Sequence, residues 1–369
     1  MTSAELLDTA RSIAATQLDD GMIPWYEGGH ADPWNHVEAA MALSAAGLFA
    51  EAARAYRWLE ARQRPDGSWH TYYLAGGAIE EPRLDTNVAA YVATGVWQHY
   101  LATGDASFLE HARPMVDAAV AFALGARFPT GEIAWSLDPD GSRGHFALVA
   151  ASSSIWASLR AADAIALELA RLGGELAVAG AVGASQAEVC RARERLGARL
   201  RRTAAGGAPG RFVHKDEYAM DWYYPVLAGV LEATAAAERL RSRAEAFVVP
   251  GWGVRCQSHR QWVTAAETAE CAIAYVRAGL PGEAASLLSW LERHRQGDGS
   301  YLTGLVWPNG NGFPAGETST YSAAAVVLAH DVLAGGPTAA AFAIASEPAL
   351  GELPGALSPG CAAAPAGSR

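Results

Sequence analysis

The sequence predicts an all-α fold, an (α/α)6 barrel or six-hairpin toroid, from three observations. Apolar residues recur at three- and four-residue spacing, as in LFAEAARAYRWLEARQ, DASFLEHARPMVDAAVAFAL and GEAASLLSWLERHRQ. Helices with one polar face alternate with Ala-rich helices that carry few charges on any face, as helices enclosed on most sides should. The connections alternate between short and long, and alternating runs of β-branched residues are rare, so a sheet domain is not expected.

Taken in order, an outer helix over about 3–17 leads through the long link 18–33 to an inner helix over 34–46. Gly47 alone separates this from the outer helix 48–63, and the link 64–84 leads to the inner helix 85–103. Thr103-Gly104-Asp105 opens the outer helix 105–124, and 125–145 connects it to the inner helix 146–162. The outer helix 186–203, the link 204–216 and the inner helix 217–229 form the fourth hairpin. The fifth has helices at 230–247 and 262–278, the sixth at 282–295 and 317–333, with links 248–261 and 296–316. In a closed ring of antiparallel hairpins all the long links share one rim, and functional groups gather on long loops held by a rigid scaffold. A weak repeat supports the ring: ARQRPDGSWHTYY (61–73) is echoed by RHRQGDGSYLTG (293–304) and more loosely by TGEIAWS (130–136). In each, a turn with a glycine at positive φ is packed down by the following aromatic. The domain is expected to span 1–334, with an insertion near 173–188 and a flexible, dispensable Ala/Pro/Gly tail over 335–369.

Composition narrows the function. The 369 residues are 51% hydrophobic, enough for one large core and too apolar for general disorder. A net charge of −11, with Lys215 the sole lysine, leaves no basic stripe for nucleic acid. No apolar run is long enough to span a bilayer, and the acid-bearing N-terminus reads as a helix rather than a signal peptide. Cys190, Cys256, Cys271 and Cys361 form no CxxC pair, so the compartment reads as reducing cytoplasm. No GxSxG, Walker, GxGxxG or HExxH sequence occurs, and neither a metal nor a cofactor is expected.

The rim is rich in aromatics and acids. Trp34, Trp69, Trp222, Tyr223, Trp262 and Trp307 lie in the long links or at the starts of the helices they feed. Such rings either pin loops or form a wall on which a pyranose stacks. Among the acids, Asp32, Asp85, Asp221, Glu267, Glu270 and Glu317 recur where long links meet inner helices. An N-cap or first-turn acid complementing the helix dipole explains Asp85 and Glu317 well. It explains Glu267 less well, since this residue lies inside an Ala/Thr/Cys-rich helix, where a carboxylate partly stripped of water suits a general acid. Asp32, presented by Pro33 beside Trp34, Asn35 and His36, suits a general base, and Asp221, bracketed by Met220 and Trp222, is a reserve candidate. Two carboxylates in unlike settings are what glycoside hydrolysis requires.

The Asp-Gly-Ser-Trp turn resembles the repeats of squalene cyclases and the toroid of protein prenyltransferases, but the DxDD acid motif of the former and the zinc set of the latter are missing. The blocks ADPWNHVEAAMAL (31–43), RPDGSWHTYY (64–73), LDTNVAAYVATGVW (84–97), KDEYAMDWYYPVL (215–227) and WVTAAETAECA (262–272) are together more similar to six-hairpin glycosidases, specifically the methylmannose polysaccharide hydrolases. That resemblance implies a metal-free enzyme cleaving α-mannosidic bonds in a cytosolic, partly O-methylated mannan. It places acidic site residues on Asp32 and Glu267, with the amide Asn35 at the position of a further acid. The expected partner is an oligo- or polysaccharide. Two other readings remain at this stage: an isoprenoid-binding, cyclase-like toroid and a carbohydrate-binding toroid without catalysis.

Overall fold

The computed structural model describes residues 1–173, 185–231 and 233–343. The outer helices are α1 (Ser3–Thr16), α3 (Phe49–Arg62), α6 (Ala106–Gly125), α8 (Gln186–Ala204), α10 (Ala233–Phe247) and α12 (Pro281–Trp290). The inner set is α2 (Pro33–Ala45), the pair α4 (Thr86–Ala90) and α5 (Val92–Thr103), α7 (Val149–Arg171), α9 (Ala219–Leu227), α11 (Ala265–Arg277) and α13 (Thr320–Leu333). Inner helices pack in the cyclic order α2, α5, α7, α9, α11, α13 and back to α2, which closes the toroid. Alanine makes this ring tight. Where α2 meets α5 even one methyl is too much, since a Cβ on Gly95 would stand 2.4 Å from Val37 Cγ1.

Helix starts carry the expected caps. Thr2 and Glu5 form a capping box on α1, Ser185 and Glu188 another on α8, and Asp32, Asp85 and Asp105 cap α2, α4 and α6. The third inner helix continues to Arg171, nine residues beyond its expected end at 162, with its C-terminal half packed on α8.

The repeated Asp-Gly turn holds the outer ring together. In each copy the glycine N–H bonds three residues back, as Gly67 does to Arg64 O at 2.9 Å, Gly131 to Phe128 O and Gly299 to Gln296 O. A fourth copy, not apparent from the sequence, joins Gly21 to Leu18 O. Each glycine has positive φ and presses on the backbone or β-carbon of the next outer helix: Gly21 on Arg54, Gly67 on Ala118, Gly131 on Arg195, and Gly299 on Asp8 of α1, which closes the circuit. Two residues after each glycine a large apolar side chain is buried: Ile23, Trp69, Ile133 and Tyr301. Tyr301 also donates its hydroxyl to Met1 Sδ at 3.1 Å, and α1 packs on α13.

At the rim the long links are laced one to the next by backbone pairing. Ala31 pairs with Tyr73, β3 (Leu84–Asp85) with β4 (Ser136–Leu137), Ala147 with Phe212 and Tyr218 with Gln257. The last two links build an antiparallel sheet in the order β5 (Val248–Val249), β6 (Gly253–Arg255), β7 (Trp262–Thr264), β8 (Gly304–Val306), β9 (Asn311–Gly312). Thr320 N–H then donates to Trp25 O at 2.7 Å, returning to the first link. The second link adds a hairpin of β1 (Tyr72–Tyr73) and β2 (Ile79–Glu81). Strands of two or three residues are too short to leave an alternating pattern, so the sheet was invisible to periodicity.

The flexible tail drawn from residue 335 is corrected at its beginning. Pro337–Phe342 form α14, which packs on α5, α13 and α2 across the end of the barrel opposite the long links. Thr338 N donates to Asp331 Oδ2 at 2.7 Å, and Gln98 Nε2 to Thr338 Oγ1 at 3.2 Å. An Ala-rich stretch reads as low complexity, yet alanine is the best helix former. Residues 344–369 and the core of the expected insertion, 174–184, lie outside the described residues.

Gly67→Ala should unfold the protein at markedly lower denaturant. It combines φ of +87° with a Cβ 2.1 Å from Ala118 O, and we expect a loss of about 2–5 kcal/mol. Gly76→Ala, at φ of +77° with nothing within 4 Å, serves as the control and should cost about 1 kcal/mol. Equal midpoints for the two variants in urea would refute the packing role of the turn.

Candidate active site

Because inner helices run away from the long links, their first turns all open at one mouth. Asp32, the N-cap of α2, is buried there. Its Oδ1 accepts the Asn35 N–H at 3.0 Å, and its Oδ2 accepts Asn35 Nδ2 at 2.7 Å and Trp25 Nε1 at 2.5 Å. Burial raises its carboxyl above the usual range, and these N–H donors pull it back. Asn35 is thus a donor fixing the aspartate, a task an ionised acid at this position could not perform.

Glu267 lies in the first turn of α11, half-buried, accepting a hydrogen bond from Thr264 Oγ1, with the Cys256 thiol beside it. Its charge reaches Tyr321, which packs edge-on against Trp25 at 5.0 Å, so Trp25 and Tyr321 connect the surroundings of Asp32 and Glu267.

One turn deeper stand two acids with no cation beside them. Glu38 Oε1 accepts Trp34 Nε1 at 2.9 Å and the Tyr91 hydroxyl at 3.1 Å. Glu270 Oε2 accepts the Tyr223 hydroxyl. Burial pushes both carboxyls up, Glu38 to about 7 and Glu270, with the Glu38 charge adding to it, well above the ordinary carboxylate range. Asp32 acts in the same direction on Glu38, and Glu267 on Glu270, so the four acids form one electrostatic group. Trp34 stacks on Tyr91 at 5.0 Å and meets the edge of Tyr224 at 5.7 Å, forming an aromatic wall over this group.

The remaining expected residues divide. Trp262 and Trp307 are half-buried on the rim sheet, Trp262 donating to Phe313 O at 2.9 Å and Trp307 lying under the Arg255 guanidinium at 5.5 Å. Asp85 is buried and caps α4 through Asn87 N and Val88 N; burial raises it to about 6.

Three substrate-contact assignments are corrected. His36 points outward between α2 and α3, with one ring nitrogen accepting Ile23 N–H and the other against Ala55 O at 2.9 Å; burial holds it near 4, hence neutral. Trp69 is sealed under its turn, donating to Leu59 O. Trp222 stacks on Phe247 and donates to Arg239 O, facing α10.

Asp221 is also drawn away from the Asp32–Glu267 group. Its Oδ1 accepts Ala150 N at 3.2 Å, capping α7, and the residue lines a separate cavity of about 240 Å³ with Arg239, Arg243 and His214; burial raises it to about 6. Tyr223 is fully buried and reaches the site only through Glu270.

Trp25, Glu38, Tyr91 and Tyr321 were not singled out from the sequence as site residues. Glu38 carried a readable signal: it is the one charge in PWNHVEAAMALSA and stands four residues after Trp34, on the same helix face. Among the described residues no three His, Cys, Asp or Glu side chains are grouped to hold a metal ion, and no helix is long and apolar enough to cross a membrane.

The raised carboxyl of Glu38 makes stability pH-dependent in a defined direction. Below about 4.5 folded and unfolded forms are both protonated; between 4.5 and about 7 the unfolded chain gives up its proton first. Stability contributed by this group therefore falls as pH rises through that window and is flat above it. Glu38→Gln should shrink the difference between the unfolding free energies measured in urea at pH 4.5 and pH 8, by an amount on the order of 2 kcal/mol. An unchanged difference would refute the assignment.

No protein-family model matches the chain. An MMP (methylmannose polysaccharide) endo-(1,4)-3-O-methyl-α-D-mannosidase from Mycolicibacterium hassiacum is 42% identical over 333 residues, 90% of this chain and 87% of that one. Among solved structures, a wild-type glycosidase superposes with a TM-score of 0.68 at 17% identity, covering 90% of this chain and 98% of its own. A mannosylglycerate hydrolase from Thermus thermophilus superposes with a TM-score of 0.62 at 15% identity, covering 87% and 99%. At these identities the two structures establish the shared toroid, and the first relative establishes kinship.

Proposed function

The chain belongs to the family of methylmannose polysaccharide endo-mannosidases and is a glycoside hydrolase, and from that premise we propose that it cleaves α-mannosidic bonds within an O-methylated mannose polysaccharide by two-carboxylate catalysis. The observation that carries this reading is the unlike setting of Asp32 and Glu267 at one mouth. Asp32 accepts three N–H donors, an arrangement that favours the ionised form and suits a base that polarises water. Glu267 is half-buried beside a hydroxyl and a thiol, and is the acid that protonates the leaving oxygen. Trp25 and Tyr321 connect the two, and with Asp32 activating a water while Glu267 protonates the leaving oxygen the outcome is inversion.

Beneath them, Glu38 and Glu270 each have one oxygen without a donor among the described residues, which suits acceptance of sugar hydroxyls. Trp34, with Trp262 and Trp307 on the rim, supplies the apolar faces that pyranose rings and O-methyl groups require. A group of four acids, three of them buried, argues against an isoprenoid cavity, which would be apolar and closed. A cytoplasmic polysaccharide fits the scarcity of cysteine.

The test is incubation with α-linked mannan oligosaccharides, plain and 3-O-methylated, followed by mass analysis of the products. Glu267→Gln should lower kcat by about 10³-fold with little change in binding. Proton NMR of the first product should show the β-anomer. Full activity in Glu267→Gln would move the acid elsewhere, and an α-anomeric first product would replace inversion by retention.

A further inference from the structure

At the end of the barrel opposite the mouth, one buried and one half-buried guanidinium group stand with no acid paired to them among the described residues. Arg160 lies on α7 and Arg277 in the last turn of α11, and they converge on Gly229: a Cβ there would stand 2.2 Å from Arg277 Nη2 and 3.4 Å from Arg160 Nη1. Arg160 is 6% exposed, makes no hydrogen bond among the described residues, and has its Nη2 sealed from solvent with no partner among them. Its one favourable contact is the face of Trp156, 4.9 Å from Cζ. Arg277 Nη1 donates to Phe342 O of α14, while its Nε is likewise sealed and unpartnered. The nearby acid, Asp163, is engaged by Arg193 at 2.7 Å.

Burial, with repulsion from Arg277 and Arg193, lowers Arg160 to about 10, and burial lowers Arg277 to about 10, so both stay charged at neutral pH. Holding two like charges together, one of them buried, is costly unless a counter-charge accompanies them, and arginine does not escape by losing its proton. Beside Arg160 lies a cavity of about 10 Å³, bounded by Thr94, Ala157, Arg160, Ala228, Ala341 and Phe342. That volume is the room left to the centre of a water-sized sphere, enough to admit a single monatomic ion.

We propose that this cavity is a binding site for a monatomic anion of halide size, held by Arg160 with Arg277 beside it, which ties α7, α11 and α14 together at the closed end of the barrel. The sealed Nη2 of Arg160 and the size of the cavity select the ligand: a strongly attracted negative sphere that needs no hydrogen-bond donors of its own. A water in the same place would satisfy a donor but leave both charges unanswered. The site lies at the far end of the inner helices from Asp32 and Glu267, so its readout is stability and not turnover.

The experiment is thermal unfolding of the full chain at fixed ionic strength, with sodium gluconate replaced by sodium chloride or bromide. With the halide a hundredfold above its dissociation constant, the midpoint should rise by about 4 °C. The rise should vanish in Arg160→Met and persist in Arg11→Met, a control on an exposed arginine of α1. Equal midpoints in gluconate and halide would overturn the site, as would a halide effect that survives Arg160→Met. Should Arg160→Met fail to fold, crystals of the unchanged protein soaked in bromide decide the matter. An anomalous peak within hydrogen-bonding reach of Arg160 supports the site, and its absence overturns it.

Discussion

The backbone pairing that runs from link to link around the rim is the constraint on which the site depends. Six inner helices packed through alanine have little side-chain relief to fix their heights relative to one another. The β-bridges from Ala31 to Tyr73, Leu84 to Leu137, Ala147 to Phe212, Tyr218 to Gln257 and Thr264 to Gly304 supply that register, and the Thr320–Trp25 bond closes it. Because each link ends at the N-terminus of an inner helix, the same pairing sets where Asp32, Asp85 and Glu267 stand. The acids are positioned by main chain, and their own hydrogen bonds orient them.

Depth then separates carboxyls of one chemical kind. At the first turn, helix N–H groups, Asn35, Trp25 and Thr264 serve Asp32 and Glu267. A turn below, Glu38 and Glu270 find only indole and phenol donors, and without a cation they hold their protons to higher pH. The aromatic residues therefore do two things at once: their faces form the wall, and their N–H and O–H groups occupy one oxygen of each deep acid.

The fold was legible because its signals are local and repeated: helical period, alternating link length and the Asp-Gly turn each recur along the chain. The site was legible only along the barrel axis. Reading acids and aromatics at the starts of inner helices picked out Asp32, Trp34, Asn35 and Glu267 as candidates, but it ignored rotation about each helix. His36 stands one residue past Asn35, about 100° around the helix, and so faces α3; Trp222 and Tyr223 diverge in the same way, toward α10 and Glu270. Trp69 had a local explanation already, since the turn it follows needs an aromatic lid. Glu38 was passed over because attention stopped at the first turn, although the spacing of four from Trp34 puts it on the inward face. The floor arginines left no sequence trace, for a lone Arg in an amphipathic helix looks like any other surface charge.

The junction between the first and last helices bears on how the chain is made. Helix α1 rests on α13, Asp8 receives Gly299, and Met1 receives the Tyr301 hydroxyl, three hundred residues downstream. During synthesis α1 emerges long before α13, and much of its apolar stripe waits until the sixth hairpin has been made. Such long-range closure makes folding slow and nearly all-or-none, and exposes the nascent chain to chaperones throughout translation. A circular permutant opened at Gly104, where a short link turns at the surface with nothing near the glycine, would move that waiting period to a different pair of hairpins.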